Sequence, residues 1–159
     1  MKITHNIISD EIIQKLEEQD QKNKLQGEIL ESLKKKKISI IENIIDQMSP
    51  VYGWIIKNTY YFVHPDSIHK TLIGPILYDD GNYLYTLSDK KNFVIKKDVF
   101  TNVENELPLK DFIEFCPFED LVSGLLYPRE MLGKYIKDNE AEIRSNEREI
   151  GKYEVWLNS

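Results

Sequence analysis

Residues 128–158, PREMLGKYIKDNEAEIRSNEREIGKYEVWLN, form the longest periodic stretch of the chain. Two sets of positions in it repeat every seven residues: Ile136, Ile143, Ile150 and Leu157, and between them Leu132, Asn139, Asn146 and Tyr153. A repeat of this length on two adjoining positions predicts a helix that packs a narrow stripe against another helix. Pro128 suits the first helical turn, where its missing N–H has no partner to lose. The stretch therefore predicts a long C-terminal helix.

A second helical pattern occupies the N-terminal part of the chain, over 9–48. Ser9 or Asp10 can cap its start, because a short polar side chain accepts a hydrogen bond from the free N–H groups of the first turn. The pattern weakens near Gly27 and again at the four lysines 34–37, where like charges lie on neighbouring turns. These features predict one bent helix or two consecutive helices, and Pro50 is expected to end the pattern.

A seven-residue series is present in this N-terminal pattern too, at Leu16, Asn23, Leu30, Lys37 and Ile44. Asn23 is a member of this N-terminal series, just as Asn139 and Asn146 are members of the C-terminal one. An Asn in a helix–helix seam lowers stability but can fix the register by side-chain pairing. Two hypotheses stay open. Either the terminal helices pack antiparallel, within one chain or across a dimer, or these Asn residues are exposed because the seams are short.

The middle of the chain, 51–100, changes to a strand-like composition. Short runs rich in β-branched and aromatic residues alternate with turns: Gly53–Val63 around a turn at Lys57-Asn58, Leu72–Tyr78, Tyr83–Leu87 and Phe93–Lys97. The Asp79–Asn82 turn contains Asp-Gly, which favours a hairpin. The pattern predicts four or five short antiparallel strands.

The connector 101–127 is predicted to be helical and acidic, with short helices at 109–115 and 118–126. The whole chain, 1–159, is accordingly predicted to be a single α+β domain. Long N- and C-terminal helices flank a small antiparallel sheet in this prediction.

The composition is that of a folded protein, with 41% hydrophobic and 30% charged residues. No apolar run approaches the roughly 18 residues of a membrane span, and the first residues do not form a secretory signal. A single cysteine, Cys116, excludes an internal disulfide framework. A cytoplasmic location without membrane contact is expected.

Residue usage points to an AT-rich genome. There are 21 Ile, 18 Lys and 11 Asn, but three Arg and one Ala. Ala is a strong helix former and normally abundant, so its scarcity reflects codon usage rather than folding. A low-GC bacterium, or one of its phages or mobile elements, is the expected source.

No catalytic or cofactor motif is present. His64-Pro65-Asp66 resembles the tripeptide of J-domain co-chaperones, but the basic helix that precedes it in that family is missing. His64, Asp66 and His69 lack the further ligand that a zinc site usually needs, so a turn is the favoured reading. Cys116 lies in an apolar context that favours an inert thiol. No metal, cofactor or catalytic residue is predicted.

The net charge of −6 is concentrated in one segment. Residues 98–120, called the acidic segment below, contain seven carboxylates against Lys110 alone, which makes −6 for the segment. Carboxylates that alternate with aromatic rings suit an interface with a basic protein. The predicted partner-binding residues are Asp98, Glu104, Glu106, Asp111, Phe112, Glu114, Glu119 and Asp120. The alternative is that the Phe residues belong to the core and the acidic residues beside them only face the solvent.

In overall make-up the chain resembles the anti-CRISPR inhibitors of phages and mobile elements, which are small, acidic and free of catalytic motifs. The resemblance implies a non-enzymatic inhibitor that binds an RNA-guided DNA nuclease and blocks DNA binding or cleavage. Such nucleases hold nucleic acid in basic channels. No direct nucleic-acid binding is expected of this chain, because the lysines at 34–37 lack interleaved aromatic residues.

Two other functions remain as alternatives. One is a coiled-coil oligomer, such as a homodimer, in which the long C-terminal helix makes the homotypic contact and the role is structural or regulatory. The other is an enzyme that uses His64, Asp66 or Cys116.

Overall fold

The structure is a computed structural model that describes the backbone of Lys2–Ser159 and the side chains from Ile8 onwards. It is α+β, as predicted. Its helices and strands are α1 Lys2–Lys57, β1 Phe62–Val63, β2 Lys70–Thr71, β3 Ile76–Asp79, β4 Tyr83–Leu87, β5 Phe93–Asp98, β6 Glu104–Pro108, α2 Leu109–Phe115, α3 Phe118–Leu126 and α4 Pro128–Leu157. The chain divides into two compact units, one ending at Ile41 and one running from Glu42 to Ser159.

The first unit consists of α1 up to Ile41. The predicted bend or break near Gly27 or the four lysines is wrong, because the helix is continuous through both and begins at Lys2. Its apolar side chains from Ile8 to Leu33 are exposed, with Leu16 at 58% and Leu30 at 65%, whereas Ile41 at its end is fully buried. An exposed ion pair between Lys24 and Asp20, at 2.8 Å, bridges one turn.

Pro50 does not end α1, contrary to the prediction; it lies inside the helix, which continues to Lys57. Met48, Tyr52 and Ile55 are buried at spacings of four and three, the period of one helix face. Burial of this face outweighs the hydrogen bond that proline removes.

The predicted strand hairpin in Gly53–Val63 is therefore wrong as well, and only Phe62–Val63 is a strand. The helix ends at Lys57, and Thr59, two residues further on, has a left-handed φ of 58°. The Tyr60 N–H donates back to the Ile55 carbonyl at 3.2 Å, as in a Schellman motif.

The sheet is antiparallel, with strand order β3-β4-β5-β6, and β1 and β2 form a separate pair. The predicted strands at 72–78, 83–87 and 93–97 are confirmed in this sheet, with β3 beginning at Ile76. Gly81 supplies the positive φ of 88° that the β3–β4 turn needs. Strand β6 was not predicted; it pairs with β5 along Glu104–Pro108.

Helices α2 and α3 lie where they were predicted, and α3 packs on the edge strand β3. A Cβ on Gly124 would meet the backbone oxygen of Ile76 and would lie 2.9 Å from the Cα of Leu77, so the close approach requires glycine. Fully buried Leu121 and Leu125 complete this side of the core.

Helix α4 confirms the predicted C-terminal helix, and Pro128 and Met131 are buried at its start. The Tyr135 hydroxyl donates to the Tyr61 carbonyl at 3.0 Å. Beyond it the seven-residue stripe is exposed, as are Asn139 and Asn146. No helix in the described part of the chain is both long and apolar enough to cross a membrane.

Candidate protein-binding surface

The carboxylate of Asp98 organises the β5–β6 turn. Its Oδ1 accepts the backbone N–H groups of Phe100 at 2.8 Å and Thr101 at 3.0 Å. The hydrogen bond from the Thr101 N–H has the larger effect, and the one from the Phe100 N–H the next; together they hold the pKa of Asp98 below its usual value. Asp98 is thus a turn residue as well as a surface charge.

Glu104 and Glu106 lie on β6, the outer strand of the sheet. Glu104 is 3.7 Å from Lys97, and Glu106 is 3.5 Å from Lys90. Both lysines lie outside the acidic segment, so they offset part of its charge. Partly exposed ion pairs of this kind add little stability.

The other carboxylates are on α2 and α3. Asp111 lies in the first turn of α2, and Glu119 and Asp120 lie in the first turn of α3. Negative charge is favourable there because the helix start carries a partial positive charge. Asp111, Glu114 and Glu119 are exposed, and Asp120 is half-buried.

The phenylalanines divide between core and surface. Phe112, predicted as a partner-binding residue, is fully buried and packs against Tyr85 with ring centroids 5.1 Å apart. The structure makes it a core residue instead. Phe115 is 54% exposed, although its ring also contacts Tyr85 and Phe112, at 5.7 Å and 5.2 Å.

Phe115 consequently has an exposed face on a ring held in place by the core. Leu109, Phe112 and Ile113 are buried at helical spacing, and Phe115 falls outside that stripe. The same spacing in the sequence could have distinguished the two phenylalanines.

The acidic segment forms two groups rather than one. Asp98 and Glu104 lie at one end of β6, and α2 begins at its other end, about 13 Å away at strand rise. The group on α2 and α3, with Phe115 beside it, is called the α2–α3 surface below. It consists of Asp111, Glu114, Phe115, Glu119 and Asp120.

The histidines serve in turns. His64 is buried, and its Nδ1 accepts the Asp66 N–H at 3.1 Å, while its Nε2 has no hydrogen-bond partner. The Ser67 N–H donates to the His64 carbonyl at 3.1 Å. This confirms the turn that was favoured over a metal site at His64-Pro65-Asp66.

His69 pairs with Asp79 instead of with His64. Its Nδ1 is 2.8 Å from Oδ2 of Asp79, and the Ser67 hydroxyl donates to the same oxygen at 2.6 Å. Because the serine proton points to the carboxylate and not to the imidazole, the three residues do not form the relay of a hydrolase triad. In the described residues no group of three or more His, Cys, Asp or Glu is placed to hold a metal.

Cys116 is buried between α2 and α3. Burial is the main cause that raises the pKa of its thiol, and the nearby Asp120 carboxylate adds to it; together they bring the pKa to about 12. A thiolate nucleophile needs the opposite shift. The environment is that of an inert thiol.

A second acidic surface, which was not predicted, lies along the exposed stripe of α4. Glutamates border the stripe on both sides: Glu140, Glu142, Glu147, Glu149 and Glu154. The signal was present in the repeat itself, because these are the positions next to its two seven-residue series.

Comparisons with protein-family profiles, with curated proteins and with solved structures find no match for this chain.

Proposed function

We propose that this protein is a non-enzymatic inhibitor that binds a basic protein surface through the α2–α3 surface. The observation that carries the proposal is the half-exposed ring of Phe115, held by Tyr85 and Phe112 and surrounded in sequence by carboxylates. A ring that is already fixed loses little conformational entropy on binding, so it is a good anchor.

The charges around Phe115 would set the partner's chemistry. Exposed carboxylates speed association with a basic surface over distances of about a Debye length, roughly 8 Å at physiological salt. Asp111, Glu119 and Asp120 do so while serving as helix-start residues, since their charge stays on the surface in both roles.

The partner class proposed is an RNA-guided DNA nuclease, on the resemblance to anti-CRISPR inhibitors. The positively charged channel of such an enzyme offers a surface of matching sign. An acidic protein docked there would block DNA binding or cleavage by occupying the channel, without any chemical step.

The test is a four-residue neutralisation, D111N/E114Q/E119Q/D120N, assayed on a panel of RNA-guided nucleases for binding and for inhibition of cleavage. We expect slower association and a weaker salt dependence. The control, E17Q/E18Q/E28Q/E31Q, makes the same charge change at exposed positions of α1. It should leave binding unchanged.

Phe115→Ala tests the anchor separately. It should speed dissociation, whereas Phe100→Ala, at a ring that is 76% exposed, should not. Circular dichroism confirms that each variant is folded. Unchanged affinity and salt dependence in the neutralised variant refute the proposed surface, and a panel without any binding refutes the proposed partner class.

A further inference from the structure

Helix α4 carries an exposed apolar stripe, separate from the α2–α3 surface. Ile136, Ile143 and Ile150 are each exposed by more than half, at 58%, 55% and 57%. Leu157, one repeat further on, is exposed by 73%. Apolar side chains repeating every seven residues along one line of a helix are the contact surface for another helix.

The positions directly before the Ile143 series and directly after the Asn146 series are called the borders of the stripe below. Their charged residues are all acidic. Glu142 and Glu149 directly precede Ile143 and Ile150, and Glu140 and Glu147 directly follow Asn139 and Asn146. The basic residues of this part of α4 lie away from the borders, at Lys137, Arg144, Arg148 and Lys152. The stripe is thus an apolar line between two acidic edges.

Acidic edges oppose pairing of α4 with a second α4. In either orientation, the border positions of one helix face the border positions of the other. Over the middle of the stripe, at Glu140, Glu142, Glu147 and Glu149, such pairs would join glutamates, and like charges at helix contacts are destabilising. A partner helix with a basic border would replace these repulsions with opposite-charge pairs.

The chain contains a helix with one basic border in its first unit. Along α1, Ile12, Leu16, Leu30 and Leu33 are exposed by 52%, 58%, 65% and 48%. Lys15, Lys22 and Lys36 directly precede members of the seven-residue series at Leu16, Asn23 and Lys37. The opposite border is mixed in charge, with Asp20 and Lys34.

The two stripes also agree in length. At about 1.5 Å per residue, Ile12 to Ile40 spans roughly 42 Å and Leu132 to Leu157 roughly 38 Å. We infer that two copies of this chain associate by packing the stripe of α1 in one copy against the stripe of α4 in the other. Each seam is interrupted by polar residues, in α1 at Gln19, Asn23, Gln26 and Lys37 and in α4 at Asn139 and Asn146, so the association is reversible and depends on protein concentration.

Charge reversal in the full-length protein tests this pairing. One variant, E142K/E149K, makes the α4 border basic; the other, K15E/K22E, makes the α1 border acidic. Sedimentation equilibrium should show that each variant alone dissociates more readily than the wild type, by roughly ten- to thirty-fold in the dissociation constant. The control R144E/R148E, away from the stripe, should leave the constant unchanged.

Mixing the two variants gives the decisive result. In the mixture, each α1 meets an α4 of opposite border charge, so a 1:1 heterodimer should form. A wild type that stays monomeric at all concentrations overturns the inference. So does a dimer that either reversal leaves intact, or a mixture that fails to associate. None of these outcomes depends on nuclease binding, so the proposed function stands or falls separately.

Discussion

The hydroxyl of Tyr52 donates a 2.6 Å hydrogen bond to the backbone carbonyl of Leu125, across 73 residues of sequence. The bond is buried and joins the last turns of α1 to the end of α3. Burial raises the pKa of Tyr52 well above its usual value, so the phenol remains a protonated donor under all ordinary conditions.

Tyr52→Phe should lower the free energy of unfolding by about 1 to 2 kcal/mol, because the mutation removes a buried hydrogen bond while keeping the ring. Urea unfolding measures this. Tyr135→Phe is the matched control, since it removes a 3.0 Å bond to a carbonyl in an exposed setting. A loss at Tyr52 no greater than the loss at Tyr135 would contradict the importance of the buried bond.

Gly124→Ala should destabilise the protein by about 2 kcal/mol or more, because its Cβ would collide with the backbone of β3. Gly151→Ala is the control within α4, where a Cβ meets nothing within 4 Å. That substitution should instead stabilise by about 0.5 to 1 kcal/mol, the helix preference of Ala over Gly. Thermal unfolding of both variants distinguishes the signs, and a tolerated Gly124→Ala would refute the contact.

Thr59→Gly should raise the free energy of unfolding by about 1 kcal/mol, since a β-branched residue is strained at its φ of 58°. Asn102 has a similar φ of 59°, but asparagine tolerates this conformation better. Asn102→Gly should consequently gain less in the same denaturation series. Equal gains would show that the strain does not depend on side-chain type.

Asp79 should make the protein sensitive to acid. Burial raises its pKa, but hydrogen bonds from Ser67, His69 and the Gly81 N–H outweigh burial and leave the pKa below the ordinary value. A carboxylate with a lowered folded-state pKa stabilises the fold above its unfolded pKa, about 3.9, and this contribution disappears as pH falls through the folded value.

Asp79→Asn should therefore lose about 1 to 2 kcal/mol at neutral pH. The difference from the wild type should shrink as the pH is lowered below about 4. Urea unfolding between pH 7 and pH 2.5 measures both. A difference that is constant with pH would mean that the charge of Asp79 plays no part.

Cys116 should react very slowly with iodoacetamide at pH 8, because a thiol with a pKa of about 12 is almost wholly protonated there. The same thiol should react fast once the protein is unfolded in guanidinium. Mass spectrometry after timed quenching gives both rates. Rapid labelling of the folded protein would revive Cys116 as a candidate nucleophile.

Elements with strong local signals were predicted well. The seven-residue repeat of α4 and the Asp-Gly turn between β3 and β4 each depend on residues close in sequence. Gly53–Lys57 was mistaken for a strand because its residues favour strands locally, while burial of Tyr52 and Ile55 keeps it helical. Such tertiary burial cannot be read from composition.

Strand β6 was missed for a related reason. Its sequence, ENELP, is charged and ends in proline, which is unlike a central strand but suits an edge. Of the candidate site, the exposed carboxylates on α2 and α3 were predicted from charge alone. The ion pairs of Glu104 and Glu106 were not, because Lys97 and Lys90 are brought to them by sheet pairing.

The position of β6 at the margin of the sheet has a consequence for solubility. A marginal strand leaves backbone hydrogen-bonding groups open, and these can template the addition of further chains into fibrils. The carboxylates at 104 and 106 and the proline at 108 disfavour the pairing of a further strand with β6. These charges would thus let the protein accumulate to high levels in a cell without polymerising, whichever molecule it binds.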